Sequence, residues 1–258
     1  MEYQKKVLVC EDSMEGIFSA VYDGWLLGKR GYDVAIVTEE PQNLEFFVSY
    51  QYIETNQEKS GKVLDTIRSK LGFHAYEMVC YAAVSRHEEK GTAVYKVLQR
   101  AICRKGFDAS VFEALADPYV NLLSKLRIKV WHEIHRFYGF VRFYEMGNGI
   151  LVSAIRPEND ILVMLSDHFT NRYPNENWMI YDEGRRKALL HPAGQKCFVH
   201  WNITMPQKWG TELETDSEYE NLWKVFCKSV AINERKNSKL QQQFLPLKFR
   251  ENMPEFQE

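Results

Sequence analysis

The stretch at residues 131–143, "WHEIHRFYGFVRF", combines the side chains of this sequence that are best suited to chemistry. It sets His132 and His135 three positions apart and places Arg142 among aromatic residues. Histidines bind metals, transfer protons and contact phosphate, and arginine between aromatic rings is typical of surfaces that grip nucleotides. Three interpretations are therefore open: a metal site, a nucleic-acid contact, or a helix that packs beside a strand.

Two more residues extend a catalytic hypothesis. His168 and Asp182 could join His132 and His135 as metal ligands or acid–base groups. A zinc helix of the H-E-x-x-H type spaces its histidines four apart, which this sequence does not do. Asp182 also precedes a predicted turn that contains Arg185, where a structural role is favoured. Because no complete ligand set is visible, we predict no metal and no cofactor, and enzymatic activity stays an open question.

The two histidines of the 131–143 stretch lie on a predicted helix that opens at Asp117 and Pro118, a cap residue followed by a first-turn proline. At 100° per residue, five apolar residues share its core face: Leu123, Leu126, Val130, Ile134 and Phe137. Four basic or protonatable residues fall within about 60° of one another on the far side: Lys125, Lys129, His132 and Arg136. No acid interrupts them, so we predict contact with a polyanion, and a merely solvated surface is the alternative.

The surrounding pattern predicts an α+β fold with a mostly helical N-terminal half packed on a C-terminal half, which has a small antiparallel sheet and flanking helices. Residues 1–116 read as strand, helix and strand followed by a helical region that breaks near Gly72 and Gly106. The first helix is expected to start with a capping box at Asp12 and Glu15. Residues 117–258 are expected to form an α+β core with two hairpins between residues 140 and 190, and a basic C-terminal segment.

That basic segment, residues 234–250, carries five bases and one acid. It also contains leucines and Phe244, which makes it too apolar for a solvated tail. We predict that it is ordered, with its leucines and Phe244 packed on the α+β half and with Arg235, Lys236 and Lys239 on the side of the basic helix face. The alternative is a tail that docks on a partner.

Composition excludes several classes of protein. The chain has 258 residues, a formal charge of −2 and 45% hydrophobic residues, which is ordinary globular composition. Its longest aliphatic run, residues 161–165, is far too short to span a membrane, and its start lacks the apolar region of a signal peptide, so we expect a cytoplasmic protein with no membrane partner. Five scattered cysteines argue against a disulfide framework or a thiolate metal site.

The 131–143 stretch, together with "HFTNRYPNENWMIYDEGRR" and "AINERKNSKLQQQFLPLKFR", resembles a bacterial family of DNA-metabolism or DNA-repair proteins whose core is a domain of unknown function. The resemblance implies a DNA partner and a second partner, a radical-SAM protein of DNA modification or repair. Matching residues are His132, His135, Gly139, Phe140, Arg142, His168, Phe169, Arg172, Trp178, Asp182, Arg185, Glu234, Arg235, Asn237, Gln241, Pro246 and Lys248.

The basic pattern and the resemblance agree on nucleic acid. We therefore expect an accessory protein of DNA repair or modification that works with a radical-SAM partner. The alternative is an enzyme that acts on damaged nucleotides through a metal or through acid–base groups, with His132, His135, His168 and Asp182 as its candidates. The residues expected to contact nucleic acid are Lys125, Lys129, His132, Arg136, Arg142, Arg172, Arg185, Arg235, Lys236, Lys239 and Lys248.

Overall fold

The computed structural model describes residues 5–40, 43, 45–103, 106–146, 149–203, 218–232, 237–250, 253 and 256, with the backbone alone at positions 103, 218–221, 224 and 248. Two compact units make up the chain. Unit 1 comprises Met1–Glu133 and Glu158–Asp160, and unit 2 comprises Ile134–Pro157 and Ile161–Glu258. The α+β class is confirmed, since both units combine helices with a sheet. The units divide the chain later than residue 116, within a helix, and a domain boundary at residue 116 stays a prediction.

Unit 1 begins with the predicted strand, helix and strand, followed by a third strand. Strands β1 (Lys5–Cys10), β2 (Asp33–Val37) and β3 (Val48–Ile53) form a parallel sheet in the order β2-β1-β3. Helix α1 (Met14–Lys29) connects β1 to β2. The sequence did not predict β3. Most residues of this strand are partly or fully exposed, and only Ile53 is buried.

The expected capping box of α1 is wrong by one residue. Ser13, in extended conformation, is the N-cap, and its hydroxyl accepts a hydrogen bond from the Gly16 amide at 3.0 Å. The carboxylate of Asp12 pairs instead with the ammonium group of Lys90 at 2.5 Å, and the Lys90 side chain is only 3% exposed. Asp12, which local spacing predicted as the cap, therefore forms a long-range ion pair instead.

The helical region of unit 1 is confirmed, and both predicted breaks occur at glycines with positive φ. Gly72 (φ +87°) opens one helix, and Gly106 (φ +127°) opens the second strand of a short hairpin, where other residues would be strained. A further break between residues 84 and 89 was not predicted. The elements are α2 (Gln57–Lys70), α3 (Gly72–Ala83), α4 (Lys90–Ala101), β4 (Ile102–Cys103), β5 (Gly106–Phe107) and a 3₁₀ helix at Ala109–Glu113.

Helix α5 (Pro118–Phe140) starts where the sequence predicts and runs from unit 1 into unit 2. Its five predicted core residues are all buried, at 5% exposure or less. The strand that was expected from residue 140 is wrong at its start, because α5 continues to Phe140 and the Val141 amide still donates to the Phe137 carbonyl at 3.1 Å. Only Tyr144 and Glu145 form the strand β6.

The sheet of unit 2 is mixed and not purely antiparallel, which corrects the prediction. Its order is β10-β9-β8-β7-β6, and β7 and β8 are parallel while the other neighbours are antiparallel. A helical connection joins β7 to β8, and such a crossover places successive strands in the same direction. The elements are β7 (Leu151–Ile155), a 3₁₀ helix at Leu162–Leu165, α6 (Ser166–Arg172), β8 (Trp178–Asp182), β9 (Lys187–His191) and β10 (Phe198–His200).

The end of the chain contains α7 (Glu218–Val230), α8 (Ser238–Phe244) and a 3₁₀ helix at Leu247–Phe249. Several described side chains of α7 are apolar and exposed, including Leu222 at 57% and Phe226 at 53%. Among the described residues, no helix is both long enough and apolar enough to cross a membrane.

Candidate nucleic-acid interface

Asp117 caps the start of α5, the helix that carries the candidate residues. The Asp117 carboxylate accepts hydrogen bonds from the amides of Tyr119 and Val120, at 2.9 and 3.3 Å. It also forms an ion pair with Arg100. These bonds satisfy amides that have no partner within the helix, which is why an aspartate followed by proline starts a helix here.

Four side chains form what we call the cationic row: Lys125, Lys129, His132 and Arg136. All four are exposed, as expected for the face opposite the buried residues of α5. The row extends over eleven residue steps, from position 125 to position 136, or about 16 Å at 1.5 Å per residue. Its first three members lie in unit 1 and Arg136 lies on the next turn, in unit 2.

Among the described residues, the acid Glu158 contacts the cationic row. Glu158 pairs with Lys129 at 2.5 Å, with the side chains 37% and 57% exposed, respectively. Lys125 and Arg136 form no ion pair with any residue that the structure describes. At least two cations of the row are therefore available to an external anion.

An exposed apolar strip borders the row on the same helix. Ile128 is 49% exposed and Trp131 is 39% exposed, and the Trp131 indole meets the His132 ring edge-on at a centroid distance of 5.1 Å. At 100° per residue these two residues lie about 40° and 100° from His132, on one side of the row. The helix thus presents charge and a large aromatic side chain next to each other.

Glu133 has a role that the sequence analysis missed. It is 6% exposed, and its carboxylate accepts bonds from the Glu158 amide at 2.7 Å and from the Asn159 amide and side-chain amide at 3.1 and 2.6 Å. Asn159 in turn accepts a bond from the Arg86 amide at 2.9 Å. Both carboxylate oxygens are therefore occupied in holding the backbone of Glu158, which is the acid that pairs with Lys129.

A signal for this role exists in the sequence. Glu133 is seven residues after the buried Leu126, which places the two side chains about 20° apart on a helical wheel. A carboxylate at the border of a core face needs hydrogen-bond donors. Its partners, however, lie more than 20 residues away in sequence and could not be named in advance.

His135 and His168 come together in unit 2, around Tyr138. The His168 ring stacks on Tyr138 with centroids 4.1 Å apart and planes 13° apart, and the His135 ring lies 5.4 Å from the same tyrosine. Burial lowers the pKa of His168, and the nearby charges of Arg172 and His135 lower it further. His168 Nε2 is buried and forms no hydrogen bond with any described residue. The arrangement stacks the His168 imidazole, whose pKa is lowered, on the Tyr138 ring.

Asp182 forms contacts that organise the β8–β9 turn. It is fully buried, and its carboxylate accepts bonds from the Gly184 and Arg185 amides at 3.0 and 3.1 Å. The Arg185 guanidinium pairs with the same carboxylate at 3.2 Å and donates to the Pro157 carbonyl at 3.1 Å. These are the bonds of a structural turn residue. Across the described part of the chain, no three His, Cys, Asp or Glu side chains are grouped so that they could hold a metal ion.

The remaining predicted contact residues differ in their surroundings. Arg142 donates to the Gly139 carbonyl at the end of α5 at 2.8 Å, so its guanidinium is engaged with local backbone. Arg172 is exposed at the end of α6, beside Tyr173, and Lys239 is exposed on α8. Arg235, Lys236 and the side chain of Lys248 lie outside the described residues.

The C-terminal segment is anchored in unit 2 by residues other than the expected ones. Leu240, Phe244 and Leu247 are exposed, so the prediction that the leucines and Phe244 pack back is wrong for these three. Phe249 is instead buried at 7% exposure. The centroid of its ring lies 5.0 Å from that of Phe137 and 5.2 Å from that of Phe140, both on α5. The anchoring residue, Phe249, thus comes after Pro246 in the sequence.

The fold and the exposed row define an α+β protein with a cationic helical surface. It belongs to the family of DUF4130, a domain of unknown function, whose pattern matches residues 88–255, more than half of the chain. Among solved structures, it is similar to the DHH domain of a member of the s1p family of ribosomal proteins, with 9% identity over 74% of each chain. The TM-score of that similarity is 0.27, too low to support an argument. None of the curated proteins is similar enough to the chain to match it.

Proposed function

We propose that this protein is an accessory protein of bacterial DNA repair or modification that acts in the cytoplasm and binds nucleic acid through the cationic row of α5. The observation that carries the proposal is the alignment of four exposed basic or protonatable side chains, Lys125, Lys129, His132 and Arg136, on one face of a continuous helix. Lysine and arginine that neutralise phosphates release counterions, and this release drives non-specific binding to nucleic acid.

The apolar strip beside the row supports the same proposal. Trp131 lies within reach of a base whose phosphate contacts the row, and stacking of a base on an aromatic ring adds about 1–3 kcal/mol. A single strand exposes its bases for such stacking, whereas a duplex does not.

The DNA-repair and radical-SAM parts of the proposal rest on the resemblance of residues 131–143, 168–186 and 231–250 to DNA-repair proteins. Five scattered cysteines offer no thiolate cluster in the sequence. In the proposed partnership, the radical-SAM protein therefore supplies the iron–sulfur cluster and this protein supplies a nucleic-acid surface.

The test is a charge reversal of the row. We expect the double variant Lys129→Glu, Arg136→Glu to weaken DNA binding and to reduce the logarithmic salt slope by about 0.7 to 0.9 for each phosphate that the variant no longer neutralises. The control is Lys70→Glu, Lys196→Glu, which changes exposed lysines elsewhere by the same charge. Binding that is equally affected in both variants would show a general charge effect. Unchanged binding in the first variant would show that the row is not the DNA surface.

A second candidate function is acid–base catalysis on a damaged nucleotide, and the stacked pair of His168 and Tyr138 supports it. A neutral imidazole can accept a proton at neutral pH. The test is cleavage of oligonucleotides that contain damaged bases, compared between the protein and His168→Phe, with metal analysis of protein purified without an affinity tag. Activity that survives in His168→Phe would exclude a catalytic role for this histidine.

A further inference from the structure

A cavity of about 890 Å³ opens within unit 1, away from α5. Its walls are α1, α2, α4 and the β4–β5 hairpin. The volume lies in the range of pockets that hold cofactors and small ligands, which is about 300–1,000 Å³. Neither the cationic row nor the histidine pair contributes to it.

The floor of the cavity is apolar and rigid. Val21, Tyr95 and Leu98 are 3% exposed or less. The Tyr95 hydroxyl donates a hydrogen bond to the Gly24 carbonyl at 3.0 Å, so that the phenol presents its ring and not a free hydroxyl. A ligand that reaches this floor must offer it an apolar surface, because a polar group would lose its hydration there without gaining a partner.

A glycine keeps the two long walls together. A Cβ atom on Gly28 of α1 would lie 2.4 Å from the Tyr95 hydroxyl and 3.0 Å from the Gln99 side-chain nitrogen on α4. The backbone of α1 therefore lies directly against α4, which closes the base of the cavity. Its shape is built into the packing of unit 1.

The mouth of the cavity leaves apolar side chains uncovered. Leu26 of α1 is 53% exposed and Phe107 of β5 is 46% exposed. Trp25 lies between the floor and the rim and is partly exposed. Exposed apolar side chains at the mouth of a cavity are typical of ligand-binding sites.

The charges at the rim have one sign. Lys29 of α1 and Lys62 of α2 line the cavity, and no aspartate or glutamate is among its described lining residues. Lys62 shares its charge with Glu58 at 2.6 Å. Lys29 lies 5.8 Å from the centre of the Trp25 ring and has no ion pair with a described residue. The free cation thus stands beside the largest aromatic side chain of the wall.

We propose that this cavity binds a small amphipathic molecule whose apolar body lies on Val21, Tyr95 and Leu98 and whose anionic group pairs with Lys29. The apolar residues of the floor favour binding of an apolar body, and Lys29 at the rim favours an anionic head group. A protein helix is a poorer fit, since the wall that α1 offers covers only residues 21–29, about 12 Å of helix.

The experiment compares two fluorescent probes that differ in one group, 1-anilinonaphthalene-8-sulfonate and its uncharged analogue N-phenyl-1-naphthylamine. We expect the protein to bind the sulfonate more tightly than the neutral probe. Lys29→Gln should weaken sulfonate binding about two- to fivefold, as for an exposed ion pair, and leave the neutral probe unchanged. Lys70→Gln, an exposed lysine at the end of α2, is the control and should alter neither affinity.

Two further variants locate the probes. Thr66→Trp, which extends a lining residue of α2 into the cavity, should abolish binding of both probes while circular dichroism confirms the fold. Leu222→Ser with Phe226→Ser removes two of the exposed apolar side chains of α7 and should leave both affinities unchanged.

Three results would overturn the proposal. Equal binding of the two probes, with no effect of Lys29→Gln, would show that the rim does not select an anion. Binding that disappears in the α7 variant but persists in Thr66→Trp would place the probes on α7. Self-association that displaces the probes at rising protein concentration would show that a second copy covers the mouth.

Discussion

The buried carboxylate of Glu133 positions Glu158, the acid that pairs with Lys129 of the cationic row. Its two oxygens accept three hydrogen bonds from the Glu158 amide and from both nitrogen donors of Asn159, at 2.6–3.1 Å. Replacement by alanine would remove the acceptors and leave buried donors without partners. We predict that Glu133→Ala lowers the free energy of unfolding by about 3–5 kcal/mol, the cost of breaking a buried charged network.

The conservative variant Glu133→Gln separates hydrogen bonding from packing. Glutamine keeps the volume but replaces one accepting oxygen with an NH₂ group, which would face an N–H donor. We expect the free energy of unfolding to fall by about 2–3 kcal/mol, most of the effect of the alanine variant. Glu77→Gln is the matched control, because Glu77 pairs with Arg127 at 2.9 Å in a more accessible place and should cost less than about 1 kcal/mol.

Urea unfolding followed by circular dichroism measures these differences. A double-mutant cycle with Asn159→Ala tests the hydrogen bonds themselves, since the two destabilisations should be strongly non-additive. Equal destabilisation by Glu133→Gln and Glu77→Gln would refute the role of Glu133, and so would simple additivity of Glu133→Ala and Asn159→Ala.

Three more predictions concern binding, pH and the C-terminal segment. Glu158→Ala should raise DNA affinity about two- to fivefold in a fluorescence-anisotropy titration, because it releases Lys129 from an exposed ion pair, and an unchanged affinity would mean that Lys129 does not contact DNA. The pKa of His168 is lowered in the folded state, mainly by burial, so the unfolded chain binds the proton more readily and the free energy of unfolding should fall as the pH drops through 6.5. His168→Phe should flatten this pH dependence as the pH drops through 6.5, and identical slopes would contradict the assignment. Phe249→Ala should cost about 3–4 kcal/mol in thermal or urea unfolding because its ring is buried, whereas Leu240→Ala, on the exposed face of α8, should change stability by less than about 0.5 kcal/mol.

Local signals explain why much of the fold could be predicted. A cap followed by proline marked the start of α5, and glycines with positive φ marked the breaks at Gly72 and Gly106. Helical periodicity also separated the buried face of α5 from the cationic row. Each of these signals depends on residues within a turn or two of one another, which fix backbone conformation and the side of a helix that faces the core.

Competition between local and distant partners explains the errors. Asp12 has the spacing of a cap residue, but Lys90 draws it into an ion pair, and Ser13 becomes the cap. Residues 140–143 alternate like a strand, yet α5 continues to Phe140, whose ring packs against Phe249. In both cases a contact between residues far apart in sequence overrode a local preference.

Composition, periodicity and short local signals were sufficient to establish the α+β class, the start of α5, the breaks at Gly72 and Gly106, and the four aligned basic residues of α5. Folding in three dimensions was needed to show which acid neutralises Lys129, which carboxylate anchors that acid, that β7 and β8 run parallel, and that α1, α2 and α4 enclose a cavity beside Lys29. Those features depend on which distant segments meet, and the free energy of such contacts belongs to the folded arrangement and not to any single stretch of chain.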